Sequence, residues 1–245
     1  MRRDVQPEEM DDPQLPESLH VAALRGLARL NRATGVAPAI YRRLRRLALA
    51  AGRPLKVLDI ATGSGDMPIY WAKRARRERI PLQFAAVDIS PTAIHFAQEA
   101  AIREQVDIQF LQRDVLAERL PSGYDILTCG LFIHHLHEPQ IVKLLQSMQS
   151  ASNLAMILCD LERSRLNLAC VWFASHALSR SEIVHRDGVR SVRAALTRDE
   201  FNRIASQALG RPVRAQGLPP CRFIATVDEV VVKVPRVALA GVQAT

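Results

Sequence analysis

Residues 56–66 read K-V-L-D-I-A-T-G-S-G-D, and this stretch limits the possible folds more than any other. A short apolar run, Val57, Leu58 and Ile60, gives way to Gly63 and Gly65. Residues 67–77 then suit a helix. Strand, tight turn and helix start follow one another directly, and the glycines let backbone come close to a ligand. Asp59 sits near the strand's end, and the next apolar run, residues 84–87, closes on Asp88. An acidic side chain at the end of a second strand can take both hydroxyls of a ribose.

The same alternation continues. Strand-like runs fall at 56–60, 83–87, 108–112, 124–129 and 155–160, with helical runs at 67–77, 91–104 and 140–151. Short apolar strands separated by helices specify a doubly wound, mostly parallel α/β sheet, with right-handed crossovers narrowing the topology. Ligands of such sheets bind beyond the C-terminal strand ends. The residues singled out here all fall at those ends.

Four motifs carry a resemblance: D-I-A-T-G-S-G at 59–65, V-D-I-S at 87–90, R-D-V at 113–115 and Y-D-I-L-T-C-G-L-F-I-H-H-L at 124–136. Together they resemble the class I S-adenosylmethionine (SAM) dependent methyltransferases, strongly over about residues 55–160. The resemblance implies a seven-stranded Rossmann-like sheet, SAM as cofactor and methyl transfer as the activity. It places Ala61, Thr62, Gly63 and Gly65 under the methionine and ribose of the cofactor. Asp59 is expected to orient that loop and to meet the cofactor's amino group. Asp88 would hold the ribose diol, with Ile89 packed on the adenine. At Arg113, Asp114 and Val115, Asp114 would accept from the adenine amino group and Val115 would supply a backbone donor. The plainer role for Asp114 is a capping or turn aspartate. Gly130 and Leu131 would line the methionine end. The dinucleotide fingerprint needs a third glycine, but Asp66, Met67 and Pro68 follow Gly65, and an acidic Asp88 repels a 2′-phosphate.

His134 and His135 follow where an acceptor would approach. A histidine near neutral pKa can take a phenolic proton, so either is a candidate base, His135 before His134. Adjacent helical residues point about 100° apart, so at most one should face the cleft. A structural role for the pair is the alternative. The fourth strand lacks the D/N/S-P-P-Y/F/W motif that grips planar nitrogen, which argues against DNA, amino-adenine and glutamine acceptors. The chain looks most like the quinone-biosynthesis and small aromatic O-methyltransferase branches. The expected partner is therefore a small-molecule acceptor, a phenol, quinol or polyketide-type ring. An RNA or protein methyltransferase and a SAM-binding protein without catalysis are the alternatives. No metal is expected, because no acidic cluster lies near the motifs.

Residues 161–196 are too long for an ordinary connection and read as a lid-like insertion after the fifth strand, with one helix over about 167–178. Trp172, His176, His185 and Arg193 are candidate substrate contacts, as an aromatic-lined cover with an anion clamp or as an amphipathic helix with a solvated basic edge. Residues 198–209 read as a helix behind the capping box T-R-D-E, and closing strands are expected at 212–217, 222–226 and 229–234. Residues 18–33 and 38–51 read as N-terminal helices, covering either the substrate side or the sheet. Residues 1–17, with three prolines and few apolar groups, read as a mobile arm, and residues 236–245 as a frayed tail. Residues 53–235 make up the expected cofactor domain.

At 245 residues with 48% hydrophobic content, the chain can bury a substantial core. No apolar run is long enough to span a membrane and no signal core opens the sequence, so cytoplasm is the expected location, and the four cysteines form no C-x-x-C pair, which argues against zinc or a redox dithiol. Net charge is +8, but the basic residues are scattered and only 5% of residues are aromatic, which makes nucleic acid an unlikely partner. Nothing in the sequence specifies an oligomeric state.

Overall fold

The computed structural model describes residues 1–228 except Pro13. Two helices, α1 (Glu17–Thr34) and α2 (Val36–Ala51), precede the sheet. Then come β1 (Leu55–Ile60), α3 (Asp66–Glu78), β2 (Leu82–Asp88), α4 (Pro91–Arg103), β3 (Ile108–Gln112), β4 (Tyr124–Gly130), α5 (Glu138–Ala151) and β5 (Ser152–Leu161). The insertion forms α6 (Arg165–Leu178) and α7 (Glu182–Ala194). The chain continues through α8 (Arg198–Leu209), β6 (Gln216–Leu218) and β7 (Arg222–Asp228).

The sheet has seven strands in the order β3-β2-β1-β4-β5-β7-β6. β1 to β5 run parallel, β7 pairs antiparallel with β5, and β6 closes the edge. The order reverses between β1 and β4, which opens a crevice at their C-terminal ends.

Alternation along the strands builds two cores. Leu58, Ile60 and Leu127 face α5 and α8, while Leu55, Val57 and Ile126 face α2 and α3. Trp71 of α3 is fully buried in the second layer and its indole N–H donates to the Ala37 carbonyl at 2.9 Å, locking α3 to α2. That bond satisfies the one polar atom of a large apolar side chain.

Within the described residues the expected elements form, and three stretches differ. α7 occupies a run left without a helix in the sequence reading. Ile183, Val184, Asp187 and Val192 turn inward along it, and bare Gly188 lets it approach Val171 of α6 closely. The strand expected at 212–217 shrinks to β6, because the Val213 amide donates to Ser206 Oγ and the Ala215 amide to Asn202 Oδ1 on α8. The expected strand at 229–234 and the tail at 236–245 lie outside the described residues.

The third difference is the N-terminal segment, expected to be mobile. It is pinned instead. The Asp4 amide donates to the Arg193 carbonyl, Arg3 bonds the Ala194 and Leu136 carbonyls, and the Glu9 and Met10 amides donate to Asp187. Arg186 forks onto Glu9 with bonds of 2.8 and 2.7 Å. These contacts are polar, so a reading weighted toward apolar burial missed them.

Candidate functional site

Two groups of residues gather where β1, β2, β4 and β5 end. The first surrounds the glycine turn. Ala61, Gly63 and Gly65 all take left-handed backbone, with φ of 53, 54 and 69°. A Cβ at Gly65 would lie 2.9 Å from Ala97, so that position must stay bare. The Thr62 amide donates to the Val87 carbonyl, and the Gly63 amide donates to Asp88 Oδ2 at 2.7 Å. Asp88 Oδ1 accepts from the Ser90 amide at 2.9 Å. The turn and the β2 aspartate are therefore one unit.

Asp59 lies beneath, 3% exposed. Its Oδ2 accepts from Thr62 Oγ1 at 2.8 Å and its Oδ1 from Thr128 Oγ1 at 2.6 Å. Burial pushes the carboxyl up to about 7, against the two hydroxyl bonds. A buried carboxyl beneath the loop suits the ammonium of an amino-acid ligand, which would draw it back to the charged form. Ile89 remains 62% exposed at the rim, an apolar side chain available for an aromatic ring. Asp114 Oδ1 caps the Leu116 and Ala117 amides, so the turn role is present, and Arg113 pairs with Glu118 at 2.7 Å. Val115 is buried in the core below. At the end of β4, a Cβ on Gly130 would crowd Met67, and Leu131 takes φ 57° with its amide on the Cys159 carbonyl. The polar rim, the strained turn and the exposed Ile89 fit a nucleoside carrying an amino-acid tail.

The second group stands beside Leu131. Residues Ile133–His135 form a single 3-10 turn. Asp160, buried at the end of β5, accepts the His134 amide at 2.9 Å, the Leu161 amide at 2.7 Å and His134 Nδ1 at 2.7 Å. Glu8 comes down from the N-terminal segment. Its Oε1 lies 3.8 Å from His134 Nε2 and 3.9 Å from His135 Nε2, and Ser191 Oγ bonds the same oxygen. His134 is buried and His135 partly exposed, and the two rings, 4.3 Å apart, both approach the one Glu8 carboxylate. Phe132 stacks on His135 at 5.9 Å. The sequence reading found no acidic group here because Glu8 lies far off along the chain. Asp160 closed an expected strand and could have been weighed as a partner for the histidines.

The insertion divides its candidates. Trp172, His176 and His185 stack in series, with ring centroids 4.5 and 4.0 Å apart. Trp172 is 48% exposed, and the side of α6 that packs beside Leu131 carries Leu168 and Val171 instead. Arg193 is exposed at the far end of α7 and contributes its carbonyl to Asp4. The outer side of α6 is apolar, with Leu166, Trp172 and Phe173 exposed, so a solvated basic edge does not describe it.

Comparison with known proteins fits this geometry. Residues 57–153 match the family model described as a methyltransferase domain. The release factor glutamine methyltransferase of Flavobacterium psychrophilum is 32% identical over 99 residues, 40% of this chain and 33% of that protein. The mitochondrial ubiquinone biosynthesis O-methyltransferase of Schizosaccharomyces pombe is 27% identical over 129 residues, 50% of this chain and 44% of that protein. The chain thus spans a third to under a half of these relatives' lengths. Among solved structures, the magnesium protoporphyrin IX methyltransferase of Synechocystis PCC 6803, crystallised with S-adenosylhomocysteine (SAH), superposes with a TM-score of 0.54. The identity is 16%, covering 89% of this chain and 90% of that one.

Proposed function

We propose that this chain, a class I SAM-dependent methyltransferase by its motifs, its domain match and its sheet, methylates an oxygen of a small phenolic or quinol acceptor. The observation that carries the reading is the juxtaposition of the Gly63–Asp88 turn with the Leu131–His135 turn at neighbouring strand ends. One seat suits the cofactor and the other the acceptor.

In this reading Asp88 holds the ribose diol, Asp59 meets the amino group, Ile89 covers one face of the adenine, and Gly130 and Leu131 border the methionine end. SAM bound there supplies an electrophilic methyl on a positively charged sulfur. The protein's task is then to align an acceptor oxygen and keep water away. The α6–α7 hairpin and residues 1–12 form the cover, and the Glu8–His134–His135 cluster handles the acceptor's proton and charge. The likeness to a ubiquinone biosynthesis O-methyltransferase favours oxygen on a ring. The likeness to a release factor glutamine methyltransferase favours an amide, but residues 130–133 read G-L-F-I, without the D/N/S-P-P grip on nitrogen.

The test begins with SAH binding by calorimetry and proceeds to methyl transfer from isotope-labelled SAM across a panel of phenols, quinols and polyketide-type rings. Micromolar SAH affinity and a methylated ring product are expected. Asp88→Ala should weaken SAH binding by about 1–3 kcal/mol through lost charge-assisted hydrogen bonds. His135→Ala should cut turnover about 10²–10⁴-fold while SAH affinity holds. Absence of SAH binding, or label appearing only in protein or RNA, would overturn the assignment.

A further inference from the structure

We propose that Glu8, His134 and His135 hold a divalent transition-metal ion. Two imidazoles and one carboxylate suit zinc, iron, cobalt or manganese better than magnesium or calcium, which prefer oxygen. The three ligating atoms all lie within 4.8 Å of one another. Glu8 Oε1 stands 3.8 and 3.9 Å from the two imidazole nitrogens, too far for hydrogen bonds. Donors about 2.1 Å from one tetrahedral ion lie roughly 3.4 Å apart. A contraction of about half an ångström brings Glu8 Oε1 to that spacing from each imidazole nitrogen.

The hydrogen bonds around the cluster support this. Asp160 accepts two backbone amides and His134 Nδ1. As a carboxylate it can only accept, so it keeps the proton on Nδ1 and leaves the Nε2 lone pair toward Glu8. A lone pair and a carboxylate oxygen then face each other where His134 is 4% and Glu8 7% exposed. Two acceptors in such a dry place repel unless a positive charge, a metal ion or a proton, lies between them, and at 3.8 Å the gap is wider than a shared proton would hold it. Asp160 is a positioning residue that fixes ring and tautomer, as outer carboxylates do for metal-bound histidines, and Ser191 similarly fixes Glu8. The assignment gives both imidazoles to holding the cation, which replaces the proton-accepting role given to His135 above with stabilisation of the acceptor's charge. What the ion would do, stabilise charge on an acceptor oxygen, rests on the function proposed above; its binding does not.

The test uses untagged full-length protein stripped with EDTA and dialysed against Zn²⁺ or Co²⁺. One ion per chain is expected by mass spectrometry, with visible ligand-field bands from Co²⁺. Glu8→Gln combined with His135→Asn should weaken binding at least 100-fold, and Asp160→Asn about 10–100-fold, with far-UV circular dichroism and SAH affinity unchanged. Less than a tenth of an equivalent in the wild type overturns the proposal, as does undiminished binding in Glu8→Gln alone. SAH binding without metal sinks the metal site and spares the methyltransferase reading. Metal binding without SAH does the reverse.

Discussion

Asp59 couples the glycine turn to pH. Its carboxyl is raised from the ordinary 3.8 to about 7 by burial. Between roughly pH 4 and 7 the folded chain holds a proton that the unfolded chain has lost. Stability contributed by this group is therefore largest at low pH, falls as pH rises through that window, and levels off above it. A shift of this size corresponds to about 4 kcal/mol as an upper figure. Asp59→Asn should flatten that fall, seen by comparing urea midpoints of variant and wild type at pH 4.5 and 7.5; parallel curves would contradict it. If a ligand ammonium meets Asp59, SAH binding near pH 6.5 should release a proton in wild type and none in Asp59→Asn, measured by calorimetry in buffers of different ionisation heat. Roles that depend on local backbone were legible in the sequence: the bare Gly65 position and the Asp88 carboxylate at the end of its strand. The pairing of His134 with Asp160, 26 residues on, was not, because neither residue's neighbours in sequence announce the other.

Among the elements, α7 and the N-terminal segment depend on each other. Asp187 is nearly buried and accepts the amides of Glu9 and Met10 at 2.9 and 3.0 Å. Asp187→Ala leaves those amides without their acceptor, at a cost of about 1–3 kcal/mol each while they stay buried. The segment should then detach before the core melts. Amide exchange at residues 9 and 10 should rise steeply while the global midpoint moves little; a matched loss in both would mean the segment belongs to the core. By contrast, Trp71→Ala should lower global stability by about 3–5 kcal/mol in denaturant, because it empties the layer between α2 and the sheet. Strands and helices of the wound sheet could be read from apolar period alone. α7 could not, since its few inward residues are interrupted by charge and by Gly188, and their partners, Ala23 of α1 and Val171 of α6 among them, come from other elements.

Across the whole molecule, much of the positive charge is already paired. Arg45 and Arg74 meet Glu78, Lys73 meets Glu104, and Arg203 meets Glu138. A cleft of about 400 Å³ between α2 and the β6–β7 edge collects Arg42, Arg43, Arg46 and Arg214. It opens on a different part of the sheet from the strand ends that carry the glycine turn. RNA should therefore bind only weakly and lose affinity steeply with salt, as phosphate contacts do. Filter binding at two salt concentrations checks this, and tight, salt-resistant, sequence-selective binding would speak for a nucleic-acid substrate. No helix among the described residues is long and apolar enough to cross a membrane. The tie between Glu9 and Asp187 spans 178 positions. A ribosome must therefore have released nearly all of α7 before Glu8 can come to rest against the two histidines. A nascent chain stalled any earlier, even with its glycine turn complete, would expose a half-built centre, so competence should appear late in synthesis and all at once.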